Sequence, residues 1–132
     1  MAKYRGGDIT EIVFQHTLGE KRFYPKSNED FTIDYGGIRT NDDANQVTGG
    51  GEPIYQLNRV RWSIEGAIAV DWEELDYLIN VSEHPDEATV TVTHISGTIW
   101  KGKGKPVGDL QPSTNTAQMS LKISGGGKLE RL

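Results

Sequence analysis

Three histidines, His16, His84 and His94, are the first candidates for chemistry. No two stand as H-x-H or H-x-x-x-H, and none falls in a zinc-like cluster. Their spacing points to one or two sheet histidines and one loop histidine, not a metal centre. No G-x-S-x-G elbow supports a serine nucleophile. The stretches "TGGGEP" and "GKGKP" are rich in glycine but do not match a phosphate loop, and neither opens a helix. Carboxylates are plentiful: Asp42, Asp43, Asp71, Glu73, Glu74, Asp76, Glu83, Asp86 and Glu87. A glycosidase would need two of them about 5–9.5 Å apart across a cleft. Solvated acids on a loop, a helix face and a turn are the commoner explanation. In "KGKGK", Lys101, Lys103 and Lys105 share one strand face. They could form a basic stripe for an acidic partner or nucleic acid, or blunt an exposed sheet edge. No aromatics interleave them as a base-stacking platform requires, so edge blunting is expected. The N-V-S sequon at Asn80 is taken as chance, because no secretory route is expected.

The bulk properties narrow the classes further. A chain of 132 residues fits one domain with a real core. The absence of cysteine removes disulfides, thiol catalysis and thiolate metal sites, and fits a reducing cytosol. No apolar run reaches the roughly 18 residues of a membrane span, and "MAKYRGGDITE" carries no apolar signal-peptide region. A net charge of −5 argues against a surface built to hold phosphate backbones.

The elements that would position any site are mostly strands, because period-two patterns dominate. "DFTIDYG" sets Phe31, Ile33 and Tyr35 on one face. "IYQLNRVRWSIEGAIAV" aligns Val60, Trp62 and Ile64 against Arg59, Arg61 and Ser63. "ATVTVTHI" alternates Val90 and Val92 with threonines, and "TIWKGKGK" follows a Ser96-Gly97 turn. "TAQMSLKIS" places Ala117, Met119, Leu121 and Ile123 on one side. "EIVFQHT" and "KRFYP" flank Leu18-Gly19-Glu20 as a hairpin. One segment departs from this period. In "DWEELDYLINV", Trp72, Leu75, Leu78 and Ile79 recur at helical spacing, Asp71 suits the N-cap and Glu74 completes a capping box. The spacing predicts a helix over about 72–81, ended before Pro85. The expected fold class is therefore mainly β: a β-sandwich or partial barrel with one flanking α-helix.

Two segments stand outside these elements. Residues 39–53 form a long polar loop, and a loop of that length is usually functional or disordered. Residues 125–132, "GGGKLERL", form a C-terminal arm in which glycines read as a hinge and Leu129 and Leu132 as anchors for a neighbour.

The segment "GTIWKGKGKPVGDLQPSTNTAQMSLKISGGGKLERL" gives an order of features that resembles the tail tube protein of contractile-tailed bacteriophages. That family is similar to the type VI secretion tube protein. The resemblance covers most of the chain, is strongest after the helix, and rests on no single diagnostic motif. It implies a non-enzymatic structural subunit without cofactors. Six copies would close a ring, and rings would stack into a hollow conduit inside a contractile sheath. The tape measure protein and DNA would pass through the lumen without specific binding. The chain would be made in the host cytoplasm and reside in the virion, with no membrane anchor. The resemblance also implies that the loop and the arm make contacts between subunits or rings. The residues concerned are Asn41, Asp42, Asp43, Gly49, Gly50, Gly51, Gly125, Gly126, Gly127, Lys128, Leu129 and Leu132. Glu73, Glu74 and Asp76 would face the sheath. A phage-derived bacteriocin tube or a secretion tube would share this architecture. Two other classes stay open: a monomeric β-sandwich that binds a carbohydrate or receptor through Trp62, Trp72 or Trp100, and an enzyme with an acidic pair.

Overall fold

The computed structural model describes residues 3–132. It is mainly β, with one helix and a large antiparallel sheet that does not close into a barrel. The strands of that sheet are β1 (Ile9–His16), β2 (Gly19–Phe23), β3 (Thr32–Asp34), β8 (Trp62–Ala69), β9 (Ala88–His94), β10 (Ile99–Val107), β11 (Gln118–Gly125) and β12 (Glu130–Arg131). Their order is β2-β1-β9-β10-β11-β8-β3, with β12 paired to β10. The helix α1 spans Trp72–Glu83, two residues beyond the expected end. Asp71 caps it, its carboxylate accepting from the Glu74 amide at 2.7 Å.

β10 joins the two halves of the sheet. Its first part, Ile99 to Gly104, pairs with β9, and its last part, Lys105 to Val107, pairs with β11. The halves fold over one shared core. Ile12 and Phe14 of β1, Val90 and Val92 of β9, Trp62 and Ile64 of β8, and Leu121 and Ile123 of β11 belong to one buried cluster. Burial of alternate residues in β9 and β11 follows from the pleat, in which successive side chains point to opposite faces. Leu75, Tyr77, Leu78 and Val81 of α1 close this cluster. Tyr77 packs edge-on to Phe14 and donates its hydroxyl to the Gly19 carbonyl at 2.7 Å.

Trp62 explains the glycines of the sheet. Its indole is fully buried and donates to the Lys103 carbonyl at 3.2 Å. A Cβ on Gly104 would lie 2.8 Å from the indole and 2.4 Å from the Ser124 carbonyl oxygen; one on Gly125 would lie 2.0 Å from the Lys103 oxygen. These strands approach one another, and Trp62, closely enough that no larger residue fits.

Three sequence expectations need correction here. Ala117 is exposed with φ +53, so the face of β11 begins at Met119. Trp72 is largely exposed despite its helical spacing; it opens the first turn of the helix, where it lines a cleft with Val70 and Pro112. Tyr35 lies past the end of β3 and accepts a hydrogen bond from the Trp100 indole at 2.7 Å instead of packing in the core.

Candidate functional site

Residues 37–60, which contain the expected loop, form a two-tier β-ribbon. β4 (Gly37–Thr40) pairs with β7 (Leu57–Val60), and β5 (Gln46–Val47) pairs with β6 (Pro53–Ile54). Between the tiers, Asn41 precedes a short 3-10 turn over Asp42–Ala44, and Gly49, Gly50 and Gly51 form the tip. The Asn41 amide donates to the Gln56 carbonyl at 2.8 Å, and the Gln56 amide donates to the Asn45 side chain at 2.9 Å. This arm continues directly into β8 and so into the core. A two-stranded ribbon is marginal in water on its own. This one also exposes Ile38, Val47, Ile54, Tyr55 and Leu57, each between 49% and 70% accessible. In the β4–β7 register Ile38 opposes Arg59 and Thr40 opposes Leu57, which places Ile38 and Leu57 on the same face.

The arm is anchored at its base by Asp34. Arg39 donates to its carboxylate, and the Gly36 amide donates to the same oxygen at 2.9 Å. The Arg39 hydrogen bond first, and the Gly36 amide second, hold the Asp34 carboxyl below its ordinary value. Gly36 has φ +71, and a Cβ there would meet the Trp62 amide nitrogen at 2.6 Å, so the turn into the arm requires glycine.

The C-terminal segment behaves differently from the expectation. Leu129 is 2% exposed and part of the core cluster, where it and Trp62 both border Gly102. Its amide donates to the Tyr35 carbonyl at 2.9 Å, and β12 pairs Trp100 with Arg131 and Lys101 with Glu130. Leu129 is therefore an internal plug and not a surface anchor. Gly125 is a close-packing position, not a hinge; Gly126 and Gly127 form the exposed turn into Lys128, which bridges Gly36. Leu132 alone of the two leucines remains exposed.

The basic stripe also needs correction. β10 lies between β9 and β11, so edge blunting does not account for its lysines. Lys105 donates to the His84 carbonyl at the helix C-terminus, where a cation is favoured. Lys101 and Lys103 are exposed and share a groove of about 340 Å³ with Lys128, Thr89, Glu130 and the Gly126–Gly127 turn. On α1, Glu73, Asp76 and Glu83 fall on its exposed face with Asn80. Glu74 is half-buried; desolvation first, and Asp71 second, push its carboxyl up. It is less available to a partner than Glu73 or Asp76.

Two further features could take a ligand. A groove of about 300 Å³ is lined by Asp30, Phe31, His94 and Trp100, and a cleft of about 200 Å³ by Trp72, Val70 and Pro112. His16 and His84 stack edge-on at 4.7 Å, but no group of three potential metal ligands occurs among the described residues. No helix among them is long and apolar enough to cross a membrane. Compared with family models and with curated proteins, the chain matches none.

Sequence reasoning named the arm's tip and acids but missed its apolar residues, Ile38, Ile54, Tyr55 and Leu57. The signal was there, since Tyr55 and Leu57 sit in a stretch that reads as a strand with no buried partner assigned.

Proposed function

We propose that this chain is a non-catalytic structural subunit of a phage tail tube, forming hexameric rings that stack into a hollow conduit inside a contractile sheath. The observation that carries this reading is the two-tier arm, whose large apolar side chains are left mostly exposed by the described residues. Full burial of a large apolar side chain is worth about 1.5–3 kcal/mol. Five side chains roughly 60% exposed therefore offer roughly 5–9 kcal/mol per arm on docking. Association itself costs about 4–15 kcal/mol. One arm contact alone thus gives a weak pair, and a closed ring or stacked array, where each subunit makes several contacts, gives a stable particle. The unclosed sheet agrees, since neighbours can pair its edges. The resemblance of residues 97–132 to tail tube proteins supplies the particular assembly. The virion location, the sheath as partner, and the passage of tape measure protein and DNA belong to the same proposal.

Negative-stain electron microscopy across a concentration series tests it, with preformed particles added as seeds where spontaneous growth is slow. Rings or hollow tubes are expected. Removal of residues 46–54 should leave a folded monomer that no longer forms them. Uniform monomers at every concentration would overturn the reading.

A second reading, a monomeric β-sandwich binding module, is favoured by one observation. Trp100, His94 and Asp30 converge on a groove, a combination that suits sugar hydroxyls and a sugar face. Saturable glycan binding by a stable monomer, lost in Trp100→Ala, would select it.

A further inference from the structure

We propose that the lysine groove of one subunit, formed by Lys101, Lys103 and Lys128, receives the acidic face of helix α1 from a second copy of this chain. The proposal rests on the reading of the chain as a self-assembling subunit and names one of its contacts.

Three observations carry it. First, the groove has no explanation within the chain. Its lysines lie on a central strand and on the turn before β12, and the amines of Lys101, Lys103 and Lys128 have no ion pair or hydrogen bond among the described residues. Against these three, the groove holds one acid, Glu130, so it is net positive on a chain whose total charge is −5. Second, a complementary acidic surface is present, and the exposed acids of its helix face are unpaired among the described residues. Residues 71–87 hold seven acids, Asp71, Glu73, Glu74, Asp76, Glu83, Asp86 and Glu87, and no lysine or arginine. Glu73, Asp76 and Glu83 occur at i, i+3 and i+10, which puts them on one exposed helix face, and none forms an ion pair. Third, no ion pair joins Lys101, Lys103 or Lys128 to Glu73, Asp76 or Glu83 among the described residues, so the two surfaces do not neutralise one another inside one chain.

The spacings match. Lys101 and Lys103 are two residues apart on a strand, about 6.7 Å. Glu73 and Asp76 are three residues apart on a helix, about 4.5 Å in rise, and flexible lysine stems absorb the difference. A groove and a helix face are different surfaces, so the contact either closes reciprocally in a two-fold pair or, used head to tail, propagates into a ring or filament. Complementary charge of this kind sets register and suppresses wrong pairings.

The test is charge exchange in the full chain, with melting temperature and circular dichroism as controls for folding. Lys101→Glu with Lys103→Glu should raise the concentration at which particles form by about tenfold or more, and so should Glu73→Lys with Asp76→Lys. Mixing the two variants one to one restores matched charges at every contact and should return assembly to near wild type. Rising salt should weaken the wild-type contact within the Debye range. If particles form and neither double variant changes them, this contact is wrong and the tube reading survives. If wild type stops at a small oligomer that both variants dissolve and the mixture restores, the contact holds and the tube reading fails. Wild type that stays monomeric overturns both, and retained assembly with lost sheath binding in Glu73→Lys, Asp76→Lys assigns the helix to another protein and overturns the contact.

Discussion

Replacing Leu129 with alanine measures whether the last residues belong to the fold or to a neighbour. The side chain is 2% exposed and lies over Gly102, where a Cβ would meet both it and the Trp62 indole, so the space there is already filled. Large-to-small changes of a buried leucine cost about 2–5 kcal/mol, more where the site cannot collapse. The backbone around this site is held by the β10–β12 and Leu129–Tyr35 hydrogen bonds, so collapse is limited and a loss of about 3 kcal/mol is expected. For a domain of this size that lowers the melting temperature by roughly 10 °C. Urea unfolding followed by tryptophan fluorescence gives the same quantity as a lower midpoint at unchanged slope. Leu132→Ala is the control: that side chain is 68% exposed, so its substitution should stay within about 0.5 kcal/mol. Equal, small effects from both leucines would refute the placement of Leu129 in the core and restore it as a surface anchor.

Three further outcomes follow from the structure. Gly104→Ala should destabilise the fold by about 1–3 kcal/mol, seen as a lower denaturant midpoint, because its Cβ would meet the Ser124 backbone. Asp71→Ala should cost about 0.5–2 kcal/mol in thermal unfolding, since it removes the helix cap on the Glu74 amide. Asp34 has a folded-state pKa below its ordinary value, so its stabilisation is present above about pH 4 and is lost as pH falls through the folded value. Asp34→Asn should therefore flatten the acid limb of the stability curve, and identical acid limbs in wild type and variant would remove that assignment.

Much of the fold was legible because it is written in local periodicity. The alternation of Val90 with Val92 and of Met119 with Leu121 is a strand signal that needs no knowledge of the partner strand. The Asp71–Glu74 spacing likewise marks the start of the helix. What was not legible depends on contacts remote in sequence. Gly125 reads as a hinge glycine, and Gly102 and Gly104 as ordinary strand positions, until Trp62, 40 to 63 residues earlier in the chain, is seen packed against all three. Leu129 follows three glycines and carries no pattern of its own, so its burial could not be read. The arm was hidden for another reason: β5 and β6 have two residues each, too few to show alternation. The surfaces of the candidate site were visible as charges at Glu73, Asp76, Lys101 and Lys103. Only the topology shows that the lysines lie away from a sheet edge and so leaves them without an internal role.

The three tryptophans occupy three different environments: Trp62 is fully buried, Trp100 is half-buried with its indole nitrogen hydrogen-bonded to Tyr35, and Trp72 is 64% exposed at the start of the acidic helix. The molecule thus carries its own optical gauge. Emission from Trp62 reports only on whether the chain is folded, whereas emission from Trp72 reports on whatever comes to rest against the helix. A blue shift on self-association that disappears in Trp72→Phe would time the docking of subunits without any added dye.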